Sequence, residues 1–293
     1  MRITEAMNLN DALQAESRAA SQMAQLTQMA SSGLRVSQPS DDPAAYASIV
    51  QRDAGIATAQ ARQSAATTAA GDLDLAGSVL DQATTLIQKA QSLAVEAANG
   101  TQDAASRAQA ATEIDSLNQQ LVALANTRGS SGYLFGGTQT NTPPFDSQGN
   151  FLGNNGVTHV DVADGVLAVS NASGAQAFTA AGGRDVFADL QALSTALNNS
   201  DEAGIETSIG NLDASQQQVV SAQVDTGASA DRLHSASDAT GAAITQMQVA
   251  LAPVQDADAA TTISNLEAAQ TAYQAAIQVN KQILSLSLAQ TGG

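Results

Sequence analysis

The feature that most constrains this chain is an apolar spacing of alternating three and four residues, which returns along most of its length. Such spacing lays one stripe along a helix and asks for a second helix to cover it. The first run is Leu9, Ala12, Glu16, Ala19, Met23, Leu26 and Ala30; Glu16 breaks the stripe, and Ser31-Ser32-Gly33 predicts a stop. The second is Ala76, Val79, Ala83, Leu86, Ala90, Leu93 and Ala97, and the third is Ala110, Ile114, Leu117, Leu121 and Leu124, closed by Gly129. With the Asn99-Gly100 turn between them, these two read as a helical hairpin. The longest run leads from Ile205 through Ile209, Leu212, Gln216, Val219, Gln223, Thr226, Ala230, Leu233, Ser237, Thr240, Ile244 and Met247 to Leu251. Unbroken, it would be roughly 70 Å of helix. Pro253 is expected to interrupt it, and a last run resumes at Ile263, Leu266, Gln270, Tyr273, Ile277, Asn280 and Leu284.

Composition agrees with thin helix–helix contacts. Of 293 residues only 3% are aromatic and none is Trp, although large aromatics usually fill globular cores. The middle differs: from Tyr133 to Gly183 the chain turns to Gly, Asn, Thr, Val and Pro. Thr158-His159-Val160-Asp161-Val162 alternates with period two, Ala163-Asp164-Gly165 is a turn, and Val166-Leu167-Ala168-Val169 follows, which predicts a small β-hairpin or sheet. Val186, Leu190, Leu193 and Leu197 return to helical spacing. The expected fold is mainly α with a small β-rich insert: an elongated antiparallel helical bundle or coiled-coil rod capped by a β-domain. The expected division is 1–42 (terminal helix), 43–132 (first half of the rod), 133–183 (β-rich head), 184–252 (second half of the rod) and 253–293 (terminal helix). The two terminal stripes lack partners in their own neighbourhood. They must pack on each other, pair with other subunits, or stay disordered in the monomer until they do.

Several function classes fall away. A formal net charge of −17 opposes nucleic acid and an anionic membrane surface, where a basic patch is the expected footprint. No cysteine is present, so disulfides and thiolate chemistry are absent. No run reaches about 18 apolar residues, so no membrane insertion is expected. Met1 to Leu13 carries Glu5 and Asp11 without an apolar stretch, so no cleaved signal peptide is expected. His159 and His234 lack the spacing of a metal or nucleophile site. Asp41-Asp42 and Asp256-Ala257-Asp258 could do acid–base work, but they read more simply as helix starts. In that reading Ser40 or Asp41 caps, Asp42 sits in the first turn and Pro43 is tolerated there. Gly132-Tyr133-Leu134-Phe135-Gly136-Gly137 has no phosphate-loop pattern, and Asn141-Thr142-Pro143-Pro144-Phe145 reads as a rigid turn with Phe145 tucked under the insert. No catalytic, cofactor or metal site is expected, and the chain does not read as an enzyme.

Three stretches carry a family likeness. Met29 to Ala44 contains Ser32, Gly33, Arg35, Pro39, Ser40, Asp41, Asp42 and Pro43, and it resembles the N-terminal motif of the flagellin superfamily. There a terminal helix ends in S-S-G-x-R and a turn with paired acids opens the next helix. The Pro39-Ser40-Asp41-Asp42-Pro43 form and the opening Met1-Arg2-Ile3-Thr4 are similar to the branch of hook-associated junction proteins, rather than to filament flagellins. Tyr133-Leu134-Phe135-Gly136-Gly137-Thr138-Gln139-Thr140, then Pro144-Phe145, resembles the stretch where that branch leaves its rod for the head. The tail from Asp256 through Tyr273 to Leu286 resembles the family's C-terminal helix, although Ser287 to Gly293 runs past its usual end. The likeness implies a structural flagellar protein, exported without a cleaved signal by the flagellar type III route and held beforehand by an export chaperone. It also implies self-association into a ring between the other hook-associated junction protein and flagellin. Ile3, Leu9, Ala12, Ala19, Met23, Leu26, Ile263, Leu266, Tyr273, Ile277 and Leu284 are then expected to pack subunits, with Tyr133, Phe135, Gly136, Gly137 and Phe145 joining rod to head. A filament flagellin, and a secreted helical adhesin or effector, are the alternatives.

Overall fold

The computed structural model describes residues 2–99 and 102–291. The chain is mainly α. In order come α1 (Arg2–Ser32), α2 (Pro43–Ala97), α3 (Ala104–Ala125), β1 (Arg128–Gly129), β2 (Gly132–Tyr133), β3 (His159–Ala163), β4 (Val166–Val169), α4 (Gly174–Phe178), α5 (Val186–Asn198), α6 (Glu202–Gln255) and α7 (Ala259–Thr291). A 3-10 turn, Ala180–Gly182, follows α4. The residues fall into two compact units. One takes the chain up to Ala57 and from Ile244 on; the other is Thr58–Ala243.

The second unit holds the main core. Leu73, Leu80 and Ile87 of α2 meet Ile114, Leu117 and Leu121 of α3, Leu190 and Leu193 of α5, and Leu212, Val219 and Leu233 of α6. Ala70, Ala83, Ala90, Ala94 and Ala111 are completely buried between them. Alanine lets helices approach closely. Within the helical hairpin, the buried stripe of α2 follows the expected seam but slips by one residue, to Ile87 and Ala94 instead of Leu86 and Leu93. Asp103 starts α3 by accepting the backbone N–H of Ser106 at 2.7 Å. Arg107, only 6% exposed, donates to the Ala97 carbonyl at the end of α2 and pairs with Glu202 in the first turn of α6 at 2.9 Å.

Four of the five phenylalanines lie in the insert and the fifth, Phe187, in α5. All five phenylalanines of the chain, Phe135, Phe145, Phe151, Phe178 and Phe187, form one cluster with neighbouring ring centroids 5.1–5.9 Å apart. Such pairs add edge-to-face attraction to plain burial. The β3–β4 hairpin is antiparallel, with His159 opposite Val169 and a bulge between Asp161 and Ala163. Arg62 of α2 holds its turn through Asp161 at 3.1 Å and Asp164 at 2.6 Å.

The insert holds the expected small β-hairpin and, besides it, the helix α4, which its composition did not suggest. Ser173 caps that helix by accepting from Gln176 N, and Thr179 does the same for Ala181 N in the following turn. Pro253 does not interrupt α6, which continues to Gln255. So near the helix end it removes a single ladder bond, to Val249, a residue 69% exposed where water can take the freed carbonyl.

Candidate functional site

The residues singled out by sequence lie at three places: two turns that join, a helix pair, and the entry to the insert. Gly33 ends α1 with φ +73°, the left-handed conformation that a helix C-terminus favours for glycine, and its N–H reaches the Met29 carbonyl at 2.9 Å. From there the chain pairs with the turn between α6 and α7. Leu34 forms an antiparallel bridge with Asp256, Arg35 N and Val36 N both donate to the Gln255 carbonyl, and Ala257 N donates to the Gly33 carbonyl. The Arg35 guanidinium donates to the Val254 carbonyl at 2.6 Å and lies 3.6 Å from Asp42. It thereby covers a carbonyl that the end of α6 leaves free.

The paired acids divide the work. Asp41 folds the loop upon itself, accepting from Ser37 N at 3.0 Å, Gln38 N at 3.1 Å and both side chains. Asp42, not Ser40 or Asp41, caps α2, accepting from Ala45 N at 3.0 Å, and Pro43 takes the first helical position. The Ser37 amide holds the Asp41 carboxyl below its ordinary value of 3.8, and the Ala45 amide, helped by Arg35, does so for Asp42. Asp258 caps α7 through Thr261 N at 2.7 Å, which lowers its carboxyl likewise. The Asp256 backbone belongs to the bridge instead. Pro39 and Ser40 are exposed in the loop.

Helices α1 and α7 pack on one another. Leu9, Ala12, Ala19, Met23 and Leu26 are half-buried along α1, as are Leu266, Tyr273 and Ile277 along α7. The inward stripe of α7 runs through Thr262, Leu266, Ala269, Tyr273 and Asn280, so Ile263 (53% exposed) and Leu284 (46%) stand outside it. Met7, Leu13 and Val279 are exposed too. The side chain of Ile3 and those of residues 286–291 lie outside the described residues, as do Gly292 and Gly293 altogether. Glu16 does not break the stripe: its carboxylate receives the Asn280 amide.

At the entry to the insert, β1 and β2 pair Arg128 with Tyr133, and the Arg128 guanidinium sits 4.8 Å from the Tyr133 ring centre. Phe135 and Phe145 are buried. Gly136 bridges Ser173, and Gly137 has φ +68° with the Asn154 carbonyl 2.1 Å from where a Cβ would sit, so only glycine fits. Sequence reasoning passed over Asn126, whose amide clamps Phe145 at both backbone N (3.0 Å) and carbonyl (2.9 Å). It also passed over Gln218, which donates to the carbonyls of Ala177, Thr179 and Arg184. Their signal is a polar residue on an otherwise apolar helix face, visible only when the long-range partner is known.

His234 lies 3.0 Å from Asp74 on the surface and His159 is exposed on β3. Among the described residues no group of three His, Asp or Glu side chains could hold a metal, and no helix is long and apolar enough to cross a membrane.

Comparison with known proteins finds likenesses over part of the chain. Residues 3–140 match the family described as the bacterial flagellin N-terminal helical region. Over 129 residues the chain is 39% identical to flagellar hook-associated protein 3 of Escherichia coli K12, covering 42% of this chain and 39% of that one. Over 184 residues it is 32% identical to flagellar hook-associated protein 3 of Salmonella typhimurium LT2, covering 61% of this chain and 57% of that one. The chain thus spans less than two thirds of either relative. A solved structure from Vibrio parahaemolyticus, described as a flagellar hook-associated protein, shares the fold with a TM-score of 0.68 at 21% identity, covering 74% of this chain and 100% of that one. Over part of its length the chain is therefore similar to flagellar hook-associated protein 3, and its N-terminal part to the flagellin N-terminal helical region.

Proposed function

We propose that this chain is a structural subunit of the bacterial flagellum, placed at the junction between hook and filament. The observation that carries the reading is its likeness to two curated hook-associated proteins. In this reading copies form a ring. Residues 1–42 and 253–293 form its inner part, 43–132 and 184–252 the surrounding rod, and 133–183 the outward head. The apolar side chains that the α1/α7 pair leaves exposed (Leu13, Ile263, Val279 and Leu284) support packing against neighbouring copies. The half-buried Leu9, Ala12, Ala19, Met23, Leu26, Leu266, Tyr273 and Ile277 hold each copy's own pair, and the joined turns at Arg35 and Asp42 set where it begins. The neighbours along the axis are the other hook-associated junction protein and flagellin. Export proceeds by the flagellar type III route with a dedicated chaperone, to an extracellular site of action. The role is mechanical and the chain is not an enzyme.

Labelling in cells tests this. A fluorescent dye coupled to a cysteine placed in the exposed head, at Leu152, is expected to give a single point at each hook end. Label spread along the filament would make the chain a filament flagellin, and label free of flagella would make it a secreted adhesin or effector.

A further inference from the structure

The chain holds two Asn–Gly pairs, Asn99-Gly100 and Asn155-Gly156. Asparagine is thermally labile. A glycine after it, having no Cβ, lets its own backbone nitrogen reach the asparagine side chain. Asn155 is exposed, in the loop that leads from the entry of the insert to β3.

The fold demands glycine at 156. A Cβ there would lie 2.6 Å from Thr138 Cγ2 and 2.8 Å from Asn154 Oδ1. The Gly156 carbonyl accepts from Asn171 Nδ2 at 3.0 Å, and Asn171 Oδ1 accepts from Thr158 N at 2.9 Å. The reacting nitrogen is itself engaged: Gly156 N donates to Asn154 Oδ1 at 2.9 Å. That oxygen also accepts from Thr138 N at 3.0 Å, and Asn154 Nδ2 donates to Thr138 Oγ1 at 2.8 Å. Asn154 is thus held on both sides of its amide.

The reaction open to Asn155 uses only water. The Gly156 nitrogen gives up its proton and attacks Asn155 Cγ. The N–Cγ bond forms, the Cγ–Nδ2 bond breaks, and ammonia leaves with that proton. Water then opens the five-membered imide at either carbonyl. The products are aspartate, or an isoaspartate that carries the backbone through the side-chain carbon. Each adds one negative charge. Loss of the Gly156 proton begins the sequence, and the bond to Asn154 holds that proton and fixes the peptide plane that must turn. We propose that Asn155 is a site of spontaneous deamidation in the head, and that Asn154 is the residue that slows it. The inference concerns the chain's own chemistry and holds wherever in the flagellum the chain works.

The full-length chain is incubated in mildly alkaline buffer, folded or in urea. Peptide mass spectrometry then follows conversion at Asn155. Conversion at Asn99-Gly100 in the same digest corrects for differences between folded preparations. The folded chain is expected to convert measurably, but roughly tenfold slower than the unfolded one, the factor that one hydrogen bond gives. Asn154→Ala is expected to bring the folded rate within about threefold of its own unfolded rate. Asn154→Asp keeps an acceptor for the Gly156 N–H and is expected to stay slow. Thr138→Val loosens the loop but leaves that acceptor, and is expected to stay within about threefold of the unaltered chain. Equal rates in the folded and unfolded unaltered chain would overturn the proposal, as would no conversion at Asn155 in folded Asn154→Ala. A Thr138→Val rate as high as that of Asn154→Ala would overturn it too, because loop mobility and not the Asn154 bond would then set the rate.

Discussion

At the turn between α1 and α2 two adjacent carboxylates have separate tasks: Asp41 closes the loop and Asp42 caps the helix. Both are stabilised in their charged form by backbone N–H groups, as is Asp258 at the start of α7, and all three carboxyls fall below 3.8. A carboxyl whose value is lower in the folded chain than in the unfolded one contributes stability above the unfolded value of about 3.9, and that contribution fades as pH falls through the folded value. Urea midpoints are therefore expected to be level from pH 7 to about pH 5 and to fall below about pH 4. Asp41→Asn is expected to lower the midpoint at pH 7 and to flatten the acid limb. An acid limb identical to that of the unaltered chain would show that Asp41 titrates alike folded and unfolded. The identity of the capping residue was not legible in sequence, because Ser40, Asp41 and Asp42 are all competent caps. What decides is that Arg35, tied to the Val254 carbonyl, lies beside Asp42 and not beside its neighbours.

At the scale of elements, helices whose stripes are complete in themselves were legible and elements defined by distant partners were not. The seams of α2, α3, α5 and α6 appear in the spacing of Val79, Ile114, Leu190 and Leu212, all buried. Local signals also located the β3–β4 turn at Ala163-Asp164-Gly165. Helix α4 was missed since its five residues are too few for a period and its apolar members serve the phenylalanine cluster. Glu16 reads as a flaw in a stripe until Asn280, 264 positions away, comes opposite it. Inside the insert the phenylalanine cluster substitutes for extended sheet. Phe145 sits at its centre, 2% exposed, touching Phe151, Phe178 and Phe187 and clamped by Asn126. Phe145→Ala is expected to cost about 3–5 kcal/mol in the unfolding free energy of the 58–243 unit. Calorimetry checks this; a loss under about 1 kcal/mol would mean that the cluster refills the space.

In the whole molecule, one set of side chains holds a copy together and another is left to join copies. Leu266 and Tyr273 face α1, whereas Ile263 and Leu284 do not belong to the inward stripe and are about half exposed. Ile263→Glu with Leu284→Glu is accordingly expected to leave the circular dichroism of the isolated chain within about a tenth of its original amplitude, as for most exposed substitutions. In cells the same chain is expected to fail to support filament growth. Normal filaments from that double variant would remove these two side chains from the assembly surface. The central claim, a structural role at the junction, meets its most direct test in a strain lacking this chain and any duplicate of it. Electron microscopy of the cells and immunoblotting of the medium are expected to show hooks in place, filaments absent and flagellin released. Cells that carry full-length filaments and swim normally would contradict the account.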